Sequence, residues 1–202
     1  MSAKGRPKKP PSLLDAESRG GDIAEGGLSF QESILLARLP VYLTHEGFTS
    51  LIREAMGDFE CKFYVPGHGY EIELIEVKSN QLSPGEFWAE IDRFQALAAT
   101  GERYRRFTLV ASGYAAGLTP VINQLRRVQD PGEFYGTDSS ILTRSLQDFE
   151  QTVQQFRRSR KDAEFLVNLV HVEAGAPEMI GLQEAAFKQS FAEAFPEHAD
   201  LS

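Results

Sequence analysis

Apolar and polar positions along this chain follow two different periods, and the change of period marks its elements. Apolar residues at Phe30, Ile34, Leu35, Ala37 and Leu39 form one helical face. Ser29, with Glu32 three residues later, makes a capping-box pattern. A helix is therefore expected to start there, after Gly26-Gly27, and to kink or end at Pro40. A second short helix is expected over residues 48–56, closed by Gly57. The period then drops to two. Residues 58–65 alternate as a half-buried strand, Pro66-Gly67-His68-Gly69 reads as a hairpin turn, and residues 70–79 as the return strand. On that strand Leu74, Glu76 and Lys78 share one face, and Ile75 and Val77 the other.

Ser83 and Pro84 predict the N-cap and first position of another helix, which carries Phe87, Trp88, Ile91, Phe94 and Leu97. Residues 107–111 form a short β-rich run, read as a buried strand. A helix over 118–128, a turn at Asp130-Pro131-Gly132 and a long polar-faced helix over 140–158 follow. A last strand over 165–172 and an amphipathic helix over 182–195 complete the reading. This order implies an α/β fold, a central mixed β-sheet flanked by helices. Residues 1–21, rich in Lys, Pro, Ser and Gly, read as a flexible basic arm, and residues 22–202 as one domain.

Composition narrows the function classes. A single cysteine, Cys61, excludes a disulfide scaffold and argues against a cysteine-rich zinc site. No apolar run approaches the roughly 20 residues of a membrane span, so a cytoplasmic protein with no membrane partner is expected. With 21 Lys and Arg against 29 Asp and Glu, the net charge of −8 counts against polyanion binding by the chain as a whole. The charge is uneven, however. Acids cluster between Asp58 and Glu76, while Arg103, Arg105 and Arg106, the pair Arg126-Arg127, and the run from Arg157 to Lys161 are basic. Basic rims around an acidic centre suit a metal-dependent enzyme acting on a polyanion; solvated helix faces are the plain alternative.

The segment Glu76-Val77-Lys78 carries the most chemistry. Its Glu can ligate a hard divalent cation, and its Lys can hold a water or stabilise an anionic phosphate. Asp58 opens the preceding strand, and the hairpin can bring it alongside Glu76; Glu60, on the same face, is the alternative first acid. One of these acids, Glu76 and the Val77 carbonyl would make a site for Mg²⁺ or Mn²⁺. The competing reading is a solvated pair of charges on an exposed sheet face. His68 falls in a turn, Cys61 alternates with Phe59 and Phe63 as core, and Tyr114 and Trp88 read as packing residues. No P-loop, G-x-S-x-G, H-E-x-x-H or paired C-x-x-C is present.

The succession acid, hairpin, E-x-K resembles the PD-(D/E)xK nuclease superfamily. Around it stand Gly26-Gly27 with Phe30-Gln31, the strand end Ile75 to Ser79, the helix start Leu82 to Phe87, and the strand Arg106 to Ser112. Together these look like the double-stranded DNA endonuclease domain of bacterial antiphage effectors, the CD-NTase-associated endonucleases and some antiviral STAND NTPases. The likeness spans residues 22–172. Glu76 stands where many relatives carry Gln, and no clear second Asp follows the first acid. The resemblance implies a restriction-endonuclease-like core and Mg²⁺-dependent hydrolysis of double-stranded DNA. Asp58 or Glu60 and Glu76 would hold the metal, and Lys78 would orient the attacking water. Glu32 would approach as an outer acid, though its capping-box role explains it equally well, and Gln31 would bond Lys78 or a phosphate. It further implies a homo-oligomer, or a complex with a sensor or ATPase. The alternative is a non-catalytic adaptor that keeps the nuclease fold and binds proteins.

Overall fold

The structure, a computed structural model, describes residues 21–130, 139–175, 187–189, 191–193 and 195–196. The basic arm over 1–20 and the turn at Pro131-Gly132 lie outside the described residues. Of the helix expected over 182–195, residues 182–186, 190 and 194 also lie outside them, while 187–189 and 191–193 are helical.

The chain opens with α1 (Gly21–Leu43) and a three-stranded antiparallel meander, β1 (Phe48–Arg53), β2 (Phe59–Val65) and β3 (Gly69–Leu82). Helix α2 (Pro84–Ala98) crosses to β4 (Tyr104–Tyr114), which pairs parallel with β3. After a 3₁₀ turn at Ala116–Leu118 come α3 (Thr119–Gln129), α4 (Ser139–Gln155) and α5 (Arg160–Leu169). Strand β5 (Val170–Ala174) then pairs parallel with β4. The result is an α/β fold with one five-stranded mixed sheet in the order β1-β2-β3-β4-β5.

Each face of the sheet buries its own core. On one side α1 lays Phe30, Ile34 and Tyr42 over Phe59, Cys61 and Phe63 of β2, Ile75 and Val77 of β3, and Val110 of β4. On the other, α2 to α5 cover Leu74, Phe107, Leu109, Val170 and Val172. The period-2 alternation of β3 and β4 divides their residues between the two cores. The turn after β2 closes tightly because Gly67 and Gly69 take positive φ, 79° and 86°, which side-chain-bearing residues rarely adopt.

Four expectations are corrected. The first helix begins at Gly21, so Ser29 lies inside it rather than at its N-terminus. It also runs past Pro40, one turn from its end, where few bonds depend on the missing N–H. Residues 48–53 form a strand, not a helix. Phe48, Leu51 and Ile52 have helical spacing, but pairing with β2 and packing of Phe48 and Leu51 on the α1 core decide the outcome. Residues 165–169 belong to α5 rather than to the last strand. Ser159 and Asp162 form a complete capping box that starts this helix, and Leu166 is buried in the core. No helix among the described residues is long and apolar enough to cross a membrane.

Candidate functional site

The β2–β3 register sets the candidate site. Phe59 stands opposite Ile75, so Asp58, just before β2, falls beside Glu76 and Val77. Its Oδ2 accepts the Val77 backbone N–H at 2.7 Å, and its Oδ1 accepts the Gln31 side-chain amide at 2.7 Å. Burial raises the Asp58 pKa; the Val77 N–H opposes that, and Glu76 adds to it. Glu60 lies further along, opposite Leu74, buried and 3.4 Å from Lys62 Nζ. Of the two candidate first acids, Asp58 is the one next to Glu76.

Two residues of α2 finish the arrangement. Glu90 and Arg93 flank the buried stripe Phe87, Ile91 and Phe94 and reach the end of β3. Lys78 Nζ donates to Glu76 Oε1 at 2.7 Å and lies 2.8 Å from Glu90 Oε1. Arg93 donates to Glu76 Oε2 at 2.5 Å, to Glu90 Oε2 at 2.8 Å and to the Met56 carbonyl at 2.8 Å. The four side chains make a closed ring of alternating charge. Burial works against the Lys78 ammonium, but Glu76 and Glu90 outweigh it and raise its pKa. Arg93 is likewise raised by the two carboxylates against its burial. Glu90 is lowered because Lys78 and Arg93 overcome its desolvation. The ring borders a shallow, open depression of about 500 Å³ that also touches Asp58, Gly57 and Met56.

The remaining expected residues fall elsewhere or have other partners. Glu32 is half exposed and 3.4 Å from Arg53 rather than beside Asp58. Gln31 bonds Asp58, not Lys78. The Val77 side chain is buried in the α1 core, and its N–H is held by Asp58. Cys61 is core, its thiol pushed up to about 12 by burial. Tyr114 Oη lies 2.8 Å from the Glu173 carbonyl and 3.0 Å from that of Leu109, a packing role. Among the described residues no three His, Cys, Asp or Glu side chains converge to hold a metal ion. The oxygens of Asp58 and Glu76 are instead turned to N–H donors, so the ligand set for Mg²⁺ does not fit this arrangement. Sequence reasoning missed Glu90 and Arg93. Their signal was an i, i+3 charge pair beside the apolar stripe of α2.

No family model matches the chain. It is 34% identical over 141 residues to CD-NTase-associated protein 4 of Moraxella osloensis, a match covering 69% of this chain and 30% of that protein. The chain thus spans about a third of this relative's length. Two solved structures share its fold. The Moraxella osloensis Cap4 SAVED/CARF-domain containing receptor is 25% identical with a TM-score of 0.69, over 86% of this chain and 38% of that one. The Acinetobacter baumannii Cap4 SAVED/CARF-domain containing receptor, with the cyclic trinucleotide 2′3′3′-cAAA, is 22% identical with a TM-score of 0.71. That match covers 84% of this chain and 36% of the receptor.

These names correct the functional expectation. The matched proteins are described as a CD-NTase-associated protein and as SAVED/CARF-domain containing receptors, one of them with a cyclic trinucleotide, and none as a PD-(D/E)xK nuclease. The readings as a metal-dependent deoxyribonuclease, with double-stranded DNA as partner and magnesium as cofactor, are withdrawn accordingly. The geometry agrees: the Glu and Lys on which they rested neutralise each other within the ring.

Proposed function

We propose that this chain is a non-catalytic assembly module of a Cap4-type receptor system in antiphage signalling. One observation carries the reading: the charges of Glu76 and Lys78 are both taken up by α2, through Arg93 and Glu90. A ring closed in this way stiffens the junction of β3 and α2 and leaves a rigid charged surface for a protein partner. The match to about a third of a CD-NTase-associated protein supports the setting. In this reading, recognition of a cyclic oligonucleotide belongs to the part of such a receptor that this chain does not match. The finer reading of the scaffold belongs here too. Helix, antiparallel meander, helix and parallel strand succeed one another as in a restriction-endonuclease-like core, which the module retains as a frame.

Three measurements on the full chain test this. Sedimentation velocity is expected to show a dimer or larger assembly. Calorimetric titration with 2′3′3′-cAAA is expected to give no binding heat, and supercoiled plasmid with Mg²⁺ or Mn²⁺ is expected to stay intact. A strict monomer, saturable cAAA binding, or plasmid cleavage abolished by Lys78→Ala would each overturn the proposal.

A further inference from the structure

A second cavity, of about 460 Å³, opens where β4 and β5 begin and α3 and α5 end. Since Lys78 pairs with Ala111 and the cavity reaches Arg106, five residues of β4 separate it from the charged ring, roughly 16 Å at strand rise. It is rimmed by Arg105, Arg106 and Arg126, with Val167 and Leu169 on its apolar wall. Asp130 is the one carboxylate among the lining residues.

What sets these arginines apart is that they border one cavity; Arg103, Arg127, Arg144 and Arg157 also lack a carboxylate partner among the described residues but lie outside it. Arg38, Arg53, Arg93, Arg158 and Arg160 all lie within salt-bridge distance of a carboxylate. None of Arg105, Arg106 and Arg126 does so among the described residues. The β3–β4 register explains why two consecutive strand residues border the same cavity. Tyr104 pairs with Ile72 and Arg106 with Glu73, so Arg105 sits in a bulge. Its guanidinium lies over the Phe63 ring of β2, 4.4 Å from the centroid, so its charged end turns away from the cavity and leaves Arg106 and Arg126 as the cations there. Arg126, in the last turn of α3, complements that helix's C-terminal carbonyls; Arg105 and Arg106, on a strand, have no such explanation. The neighbouring Gln129 amide is committed to the carbonyls of Leu166, Val167 and Val170.

We infer that this cavity binds a small phosphate ester, its phosphate held by Arg106 and Arg126 and its organic part against the Val167–Leu169 wall. Guanidinium forks match phosphate oxygens bidentately, and a cavity of 460 Å³ falls in the range of small-ligand sites. The inference does not rest on the assembly proposal.

Isothermal titration of the full chain with inorganic phosphate and with phenyl phosphate, at low salt, tests it. Both are expected to bind, phenyl phosphate more tightly because it also covers the apolar wall. The double variant Arg106→Gln/Arg126→Gln should lose affinity by about tenfold or more, the weight of one to two charge-assisted hydrogen bonds. Arg127→Gln, an exposed neighbour outside the cavity, should bind as wild type. Circular dichroism of each variant confirms the fold. No saturable binding of either phosphate, or binding equally weakened by Arg127→Gln, overturns the inference. So does binding of a DNA duplex that neither small phosphate displaces, which would make the arginines a polymer-backbone surface.

Discussion

In the charged ring, each carboxylate faces two cations and each cation two carboxylates, so deleting one member leaves a half-buried charge without its full complement. Glu76→Gln should lower stability by about 1–2 kcal/mol, between the cost of an exposed and a buried broken pair. In a double-mutant cycle with Arg93→Gln, urea denaturation should give a coupling of about 1 kcal/mol; additive effects would show that the ring carries no net stabilisation. Glu173 provides a pH test on the other face. Burial opposes its charge, but His171 at 3.0 Å and Arg38 at 2.5 Å outweigh it and bring its pKa down from 4.5 to about 2. A depressed carboxylate stabilises the fold fully above its unfolded pKa, and the contribution disappears as pH falls through the folded value. Melting temperature should therefore fall between pH 4.5 and about 2, and Glu173→Gln should flatten that slope. Because the side chain is 39% exposed, solvent screening reduces the contribution to about 1 kcal/mol. Part of the candidate site was legible in sequence, since a period of two puts Glu76 and Lys78 on one strand face wherever the strand lies. Choosing Asp58 over Glu60 required the β2–β3 register. Glu90 and Arg93 required knowing that α2 crosses the end of β3, which no local pattern encodes.

Among the elements, strong local chemistry was readable and tertiary pairing was not. The Ser83-Pro84 start of α2 is borne out, with Ser83 Oγ accepting the Glu86 N–H and Glu86 returning to the Ser83 N–H. Ser83→Ala should cost about 1 kcal/mol in thermal denaturation, the usual weight of an N-cap side chain. The hairpin was equally legible, because Pro-Gly-His-Gly admits few other conformations. By contrast β1 mimics a helix in its apolar spacing, and only its long-range ladder with β2 makes it a strand. Just before that strand, Gly47 lets the chain press against β2. The Tyr64 N–H donates to the Gly47 carbonyl at 2.7 Å, and a Cβ added to Gly47 would come within 2.7 Å of the Tyr64 carbonyl oxygen. The clash is with backbone, so the strands must part to relieve it. Gly47→Ala is expected to cost about 1–3 kcal/mol, and an unchanged melting temperature would show that β1 can shift without loss.

At the scale of the whole molecule, one sheet couples two cores that share no helix. Strand β4 contributes Leu109 to the core beneath α2 to α5 and, one residue on, Val110 to the core beneath α1. Strand β3 does the same with Leu74 and Ile75. Neither core can dissolve without stripping one face of the two strands that pair most extensively. Unfolding is therefore expected to be a single transition. The chain carries its own pair of reporters, since its one tryptophan and its one cysteine lie in different cores. Trp88 is buried under α2, and its fluorescence follows that layer. Cys61 is fully buried beneath α1, with its thiol pushed up to about 12, so it stays unreactive until α1 lifts away. In a urea titration, Trp88 fluorescence and the rate of Cys61 labelling by a thiol reagent should report the same midpoint. Labelling that begins well below the fluorescence transition would mean that α1 opens as a unit of its own while the helices on the opposite face still hold the sheet.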